Sequence, residues 1–573
     1  MQNWRKSVLG IVVLGILVWA LPALGGEITV SQVAVGTEGV VAAAHPLAAK
    51  IGAEILAQGG NAVDAAVATA FALGVVEPYA SGIGGEGVMV ISLADGTEVA
   101  IDYKSVAPGH VTLEGTDTSV KLGPKGTCIP GVVAGLVLAL EKYGTMSLSE
   151  VLQPAIRLAR EGFPMDEVFV EIMAAHDFYA NIIDKPEIAS IFLEDGLIPD
   201  VGSTLTNPQL AHAYELIAQQ GPDVFYKGEI ADAIAEATEG WITREDLAQY
   251  VPKEMEPVQG EYRGYEILSA PPPVGGATLV EALNILENFD LASYSYADPE
   301  AIHLIAESLL LASADRYQYV GDPAFFDVPL KGLTSDAYAR ERAELIRLDA
   351  AIPPREAPPG GAFQYEYMEE HAVVYSIPEE SLSYSTTQVS VVDKYGNAVS
   401  LTQTLSYFWG SQVFISGYGF FLNNELHNFN RYNPKDPTDL NEIAPYKRPR
   451  TTIAPTIVKK DEEIFLVVGT PGAGRIISSL LEVIVNVVDF GMDLKTAIEA
   501  PKFCSRVVYK ELRMEEGYPE ETLAALEALG HKIKLYSPLN LYFGGVNAVM
   551  VQEDGTMIGV GSLRRQGAAG AVN

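Results

Sequence analysis

Ser385, Thr386 and Thr387 place three hydroxyls in a row, directly ahead of the β-forming run Gln388-Val389-Ser390-Val391-Val392. A threonine hydroxyl is a poor nucleophile until a base takes its proton. By residue type alone the triplet reads as the polar start of a strand. Pro471-Gly472-Ala473-Gly474 lies between a strand pattern and a helix pattern; such turns expose backbone N–H groups suited to an oxyanion. A second glycine-rich run, Ser81-Gly82-Ile83-Gly84-Gly85-Glu86-Gly87, precedes a strand and lacks the Lys-Ser/Thr ending of a phosphate loop, so it reads as a tight turn. The eight histidines, His45, His110, His176, His212, His303, His371, His427 and His531, make no metal-type spacing. A metal enzyme is not supported, no cofactor is expected, and each histidine is read as structural or superficial. Cys128 and Cys504 are far apart, and no disulfide is expected between them.

The elements that must position these groups follow from periodicity. Gly39 to Ala43 reads as a short strand. His45-Pro46 then starts a helix with apolar positions Leu47, Ile51, Ile55 and Leu56, stopped by Gly59-Gly60. Asn61, with Asp64 three residues on, caps a second helix from Ala62 to Val76, so apolar all round that it must be buried. Val88 to Leu93 reads as a strand, and the middle, from about Ser147 to Leu348, as mainly helical, for example Ala301 to Ser313. Ala351 to Phe363, rich in Pro and Gly, reads as a linker or exposed loop. Thr387–Asp393 and Asn397–Thr404 form a hairpin pattern about Lys394-Tyr395-Gly396. Strands at Thr456–Val458 and Ile464–Val468 and a helix at Ile476–Val488 complete a mixed α/β pattern, its strands concentrated after Thr386.

The chain has 573 residues, 48% hydrophobic and 20% charged, which is ordinary globular composition. Its net charge of -36 repels phosphate backbones and excludes nucleic acid as an expected partner. Arg5 and Lys6, the apolar run Val8 to Leu21, and Ala23-Leu24-Gly25 read as an export signal over residues 1–25, with an uncleaved anchor as the alternative. The expected location is periplasmic or extracellular, with no stable membrane span once the signal is removed.

Several blocks, in order along nearly the whole mature chain, resemble the γ-glutamyltransferase family. They are Gln58 to Ala66, Ser81 to Gly85, Thr386 to Asp393, Gly396 to Thr404, Leu422-Asn423-Asn424-Glu425, Lys447-Arg448-Pro449, Pro455-Thr456-Ile457, Pro471-Gly472 and the tail at Arg564-Arg565. The resemblance implies an α+β, four-layer αββα sandwich of the amino-terminal nucleophile hydrolase type. It implies that the precursor cuts itself between Ser385 and Thr386 into a large subunit, residues 26–385, and a small one, 386–573, intertwined in one domain. The freed α-amine of Thr386, with a pKa near 7.7–8.0, then serves as base for the hydroxyl of the same residue. Thr404 is expected to orient it, and the N–H groups of Gly472 and Ala473 to form the oxyanion hole. The family usually has two glycines there.

The acyl pocket departs from the family pattern. Lys104 stands where the family's carboxylate-gripping arginine is expected, keeping the charge but losing the planar fork. Thr451-Thr452 replaces a serine pair. Glu425 fits the first amine-binding position, while the aspartate expected three residues later is Asn428, which carries no charge. Ser406 stands for an expected asparagine. The reading these residues support is a γ-glutamyltransferase or glutathione hydrolase passing an acyl group to water or an amine. The alternatives are a cephalosporin or glutaryl-type acylase of the same family, and a non-catalytic secreted binding protein. The expected partner is a small γ-glutamyl or other acyl-amide substrate.

Overall fold

The protein is described by a computed structural model over residues 27–175, 178–366, 385–432 and 439–573. The export segment, His176 and His371 lie outside the described residues. Two antiparallel sheets stack face to face between helical layers, the αββα sandwich that the resemblance implies. The first sheet has eight strands, in spatial order Ile28–Ser31, Ala568–Val572, Gly39–Ala43, Thr387–Asp393, Ala398–Thr404, Glu86–Ser92, Glu98–Asp102 and Lys253–Met255. The second has seven: Val33–Gly36, Met557–Gly561, Asn547–Val551, Glu463–Gly469, Thr456–Lys460, Tyr265–Ser269 and Val258–Tyr262. Both sheets join strands from before and after Thr386, so the two parts of the chain share one core.

Strands are denser after Thr386, as the pattern implies: seven strands of the two main sheets lie in the shorter part of the chain that follows it. The longer part that precedes it nevertheless supplies eight, more than the sequence pattern reveals. The missed ones are short or half-exposed, as in Lys253–Met255 and the Val258–Ser269 hairpin, and sit among helical patterns. The segment 351–363 is also more than a linker: Ala357, Ala362 and Phe363 are buried against the helical layer.

Alternation along the central strands builds the layers. Val41, Val389, Val391, Val399 and Leu401 point to the helices Pro46–Ala57 and Ala62–Val76. The second helix is buried at every position, and its alanines let it lie close to the sheet. Asn61 and Asp64 cap it reciprocally, and Asp393, at the end of the central strand, accepts the Ala62 N–H at 2.8 Å. The opposite face of the same strands carries polar groups that bond across to the second sheet. The Ser390 hydroxyl donates to the Asn547 carbonyl at 2.8 Å, and the Ser400 hydroxyl to that of Val468 at 2.9 Å. Gln388 donates to Ser400 and accepts from the Thr402 hydroxyl at 2.6 Å. Beyond the second sheet lie the helices Gly276–Leu286, Pro299–Tyr319 and Ile476–Val488.

Candidate active site

The hairpin register places the first pair of hydroxyls. Thr387 pairs with Gln403, so one step further out Thr386 stands opposite Thr404. The Thr386 hydroxyl donates to the Thr404 hydroxyl at 3.0 Å, and Thr404 Oγ1 also accepts the Ser406 N–H at 2.8 Å. Both threonines are buried. Thr386 has φ 112°, an outlier for a β-branched residue, and Ser406 has φ 81°. Strain of about 1–3 kcal/mol at such a position persists only where its surroundings enforce it. Here they do. The Ser385 hydroxyl donates to the Ala80 carbonyl at 2.9 Å, and the Thr387 hydroxyl to Glu77 at 2.6 Å. The Arg565 guanidinium donates to the Thr386 carbonyl and lies 3.5 Å from Glu77.

The second sheet supplies the turn. A Cβ on Gly469 would lie 2.1 Å from the Gln388 side chain, so the end of that strand packs directly on the start of the strand after Thr386. Gly472 follows at φ 131° and Ala473 at φ 48°. The first conformation is available essentially to glycine alone. The second costs alanine about 1–2 kcal/mol, so the backbone here is not one that ordinarily suits the residue standing in for the family's second glycine. Among the described residues no acceptor takes the N–H groups of Gly472 and Ala473. A Cβ on Gly544 would sit 2.0 Å from the Pro471 carbonyl oxygen, so the tail loop buttresses the turn.

Further along the same sheet edge is a cluster of charges. Thr404 pairs with Glu86 on the next strand, which puts a carboxylate two strands from Thr386. Glu86 forms a fully buried ion pair with Lys104 and accepts from the Ser105 N–H at 3.0 Å and hydroxyl at 2.6 Å. Lys104 also donates to the Thr451 hydroxyl at 3.0 Å. The adjacent Thr452 hydroxyl donates to the Ala473 carbonyl at 2.6 Å, so the threonine pair joins this charge cluster to the turn. Asn428 donates one amide hydrogen to Glu425 at 2.5 Å and another to Ser406 at 3.1 Å. Burial pushes the Glu425 carboxyl up to about 8; repulsion from Glu86 adds to this, while Lys104, Asn428 and Ser406 oppose it.

The ten predicted catalytic and binding residues, Thr386, Thr404, Gly472, Ala473, Lys104, Ser406, Glu425, Asn428, Thr451 and Thr452, thus fall into contacting groups. These run from the Thr386–Thr404 pair through Ser406 to Asn428 and Glu425, and from the Gly472-Ala473 turn through Thr452 and its neighbour Thr451 to Lys104. Sequence reasoning missed three participants. Glu86 was hidden inside the glycine-rich run. That run does work as close packing, since a Cβ on Gly85 would lie 2.3 Å from the Thr404 carbonyl oxygen. Glu77 ends the buried helix and Arg565 belongs to the tail; the only signal for Arg565 was its place in the Arg564-Arg565 block. Cys128 and Cys504 are separate buried thiols.

The sandwich, with a threonine at the head of a central strand, defines the class of amino-terminal nucleophile hydrolases. Comparison with known proteins narrows it. A family model described as Gamma-glutamyltranspeptidase matches residues 48–572. The glutathione hydrolase proenzyme of Escherichia coli (strain K12) is 39% identical, over 92% of this chain and 90% of its own. The acylase ACY 1 proenzyme of Pseudomonas sp. (strain SE83) is 38% identical over 94% of each. A crystal structure of cephalosporin acylase from Bacillus halodurans superposes with a TM-score of 0.83 at 28% identity, covering 98% of this chain and 100% of that one. The chain belongs to the gamma-glutamyltranspeptidase family of enzymes. Among the described residues no helix is long and apolar enough to cross a membrane.

Proposed function

We propose that this chain is an exported, self-cleaving γ-glutamyltransferase or glutathione hydrolase in which Thr386 is the nucleophile. The observation that carries the reading is the strained, buried Thr386, hydrogen-bonded to Thr404 at the head of the central strand. Before cleavage its nitrogen is an amide and has no basicity. Attack of the Thr386 hydroxyl on the Ser385 carbonyl, followed by hydrolysis of the resulting ester, separates residues 26–385 from 386–573. It leaves Thr386 with a free amine, and it releases φ of Thr386 from its constraint, since the preceding carbonyl is gone.

In the mature enzyme the amine takes the hydroxyl proton as Oγ1 attacks the donor's amide carbon. Thr404 fixes the rotamer of the attacking oxygen. The negative charge that develops on the carbonyl oxygen is met by the Gly472 and Ala473 N–H groups, each such donor being worth about 10²–10³ in rate. The leaving amine departs with the proton held by the α-amine. Water or an acceptor amine then attacks the ester and regenerates Thr386. Lys104 and Thr451 and Thr452 take the donor's α-carboxylate, and Glu425 with Asn428 its ammonium. Edman sequencing of the smaller fragment tests the assignment. It should begin Thr-Thr-Gln-Val; an active preparation that is uncut, or cut elsewhere, overturns it.

A second reading, a glutaryl-type acylase, is favoured by one observation: at neutral pH a carboxyl raised to about 8 is largely uncharged. Such a pocket binds an ammonium less strongly than a paired carboxylate does. Against it, the two amine-binding positions still hold one carboxyl and one amide, at 2.5 Å, with the acidic group at 425 instead of 428. A panel of γ-glutamyl and glutaryl anilides decides between them.

A further inference from the structure

Far from Thr386, three segments converge on a second group of side chains. His303 and Glu307 stand one turn apart on the helix Pro299–Tyr319. His531 follows the helix Glu520–Ala528 through Gly530, whose φ of 104° lets the chain turn back. The third segment is the bend before Ile352. Its Ala351 N–H donates to the Leu529 carbonyl at 2.7 Å, so the bend and the His531 turn are tied to each other. One ligand atom from each of His303, Glu307 and His531 lies within 4.8 Å of the other two.

The surroundings orient these atoms as they are oriented around a metal. His303 Nε2 is 2.8 Å from the Arg347 carbonyl, which takes its N–H and leaves Nδ1 as a lone pair facing inward. Metal-bound histidines are held in this way by a backbone acceptor on the far ring nitrogen. Nδ1 in turn lies 2.8 Å from His531 Nε2. With Nδ1 unprotonated, a single proton, on His531, fills that gap, and a cation can replace it. Glu307 is fully buried and accepts the Ile352 N–H at 3.0 Å with one oxygen, while its other oxygen has no partner among the described residues. A buried carboxylate oxygen left unpaired is costly.

We propose that His303 Nδ1, His531 Nε2 and Glu307 form a binding site for a divalent transition cation, with zinc the best match. Two imidazoles and a carboxylate are borderline ligands that suit zinc and disfavour magnesium and calcium. Tetrahedral ligation at 2.0–2.1 Å needs the two nitrogens about 3.3 Å apart, a small spread from their present separation. His531 is half-buried, which leaves a way in for the ion and room for water as fourth ligand. The function is structural. Arg316, on the same helix and donating to the Thr451 carbonyl, is 13 residues beyond His303, about 20 Å along the axis. The ion would clamp the far end of the helix that supports the Thr451-Thr452 loop. The spacing escapes sequence inspection because the two histidines are 228 residues apart.

The test uses the mature full-length protein, stripped with a chelator and titrated with zinc against excess magnesium, which occupies the acidic surface. The expected result is one equivalent bound per molecule, a thermal midpoint that rises with zinc concentration, and visible d–d absorption when cobalt(II) is substituted. In His531→Ala and in the near-isosteric Glu307→Gln, affinity should fall by at least about 100-fold, because loss of a mere orienting partner already costs 10–100-fold. Acyl-transfer activity should persist in both variants. Absence of stoichiometric zinc on the unmodified protein overturns the proposal, as does binding that survives unchanged in both variants.

Discussion

The two ends of the candidate site are built differently. At the reaction end, Thr386 and Thr404 are placed by the strand ladder, and the Gly472-Ala473 turn by backbone packed on backbone. At the recognition end Glu86 still sits on the ladder, but Lys104 is held by its ion pair with Glu86, and Glu425 and Asn428 are joined by a hydrogen bond between their side chains. A ladder register cannot shift by one residue without turning every side chain over. A side-chain cluster can change members while the fold stands. On the proposed function, the chemistry is therefore fixed by the fold and the acyl preference is adjustable. The relatives that this chain resembles at 38–39% identity include both a glutathione hydrolase proenzyme and an acylase proenzyme.

The largest expected effect is at the reaction end. Thr386→Ala should leave a single chain on a denaturing gel and lower turnover by about 10⁴-fold or more, as removal of a nucleophile does elsewhere. A cut and active Thr386→Ala protein would end the comparison, because the register would then be positioning nothing.

Next in size is a change at the recognition end. Glu425→Gln removes the one carboxyl of the proposed amine-binding pair and should lower the γ-glutamyl over glutaryl ratio of kcat/KM by about 10- to 100-fold, the worth of one hydrogen bond to a charged group. Asn428→Asp alone should gain little, since a second carboxyl 2.5 Å from the first forces the two to share a proton. The double variant Glu425→Gln/Asn428→Asp moves the charge to the usual family position and should recover the preference. Were both single variants and the double to leave the ratio unchanged, the pair would not contact the substrate's amine.

What the sequence made legible follows the same division. The capped helix Ala62–Val76, the hairpin at Thr387–Thr404 and the helix Ile476–Val488 were readable because local periodicity and caps determine them. The reaction-end residues lie at the ends of those elements and came with them, once the resemblance marked Thr386. Glu86 and Arg565 did not: the Glu86 partners Lys104 and Ser105 stand across a strand hairpin, 18 and 19 residues on, and the Arg565 partners Thr386 and Glu77 lie in distant parts of the chain, and no local pattern encodes either pairing. The Val258–Ser269 hairpin was lost for a different reason. Its strands are short, the first is buried on one face only, and helical periodicity surrounds them.

A smaller effect is expected from pH. The Glu425 carboxyl, raised to about 8 by burial and by Glu86, is mostly protonated at pH 6 and mostly ionised at pH 9. An ammonium bound beside it favours the ionised form, so binding a γ-glutamyl donor expels a proton and tightens as pH rises across that interval. KM for γ-glutamyl donors should fall by about tenfold between pH 6 and 8.5, one pKa unit corresponding to tenfold in binding. KM for glutaryl donors, which have no ammonium, should not fall. Glu425→Gln, with no carboxyl at either position of the pair, should lose this limb. Parallel KM profiles for the two donors would separate Glu425 from recognition.

The smallest effect returns to the reaction end. Ala473 at φ 48° carries about 1–2 kcal/mol of left-handed strain, whereas glycine carries none there. Ala473→Gly also enlarges the freedom of the unfolded chain, which takes back about 0.4–1 kcal/mol. The net gain should be about 1 kcal/mol or less, read as a slightly higher thermal midpoint at fixed scan rate, with turnover within about twofold. The N–H of residue 473 is held by its carbonyl's bond to Thr452 and by the buttress from Gly544, neither of which needs a methyl group. A large fall in turnover without a gain in stability would mean that the alanine side chain itself aims the donor. The reaction end would then be partly side-chain-built after all.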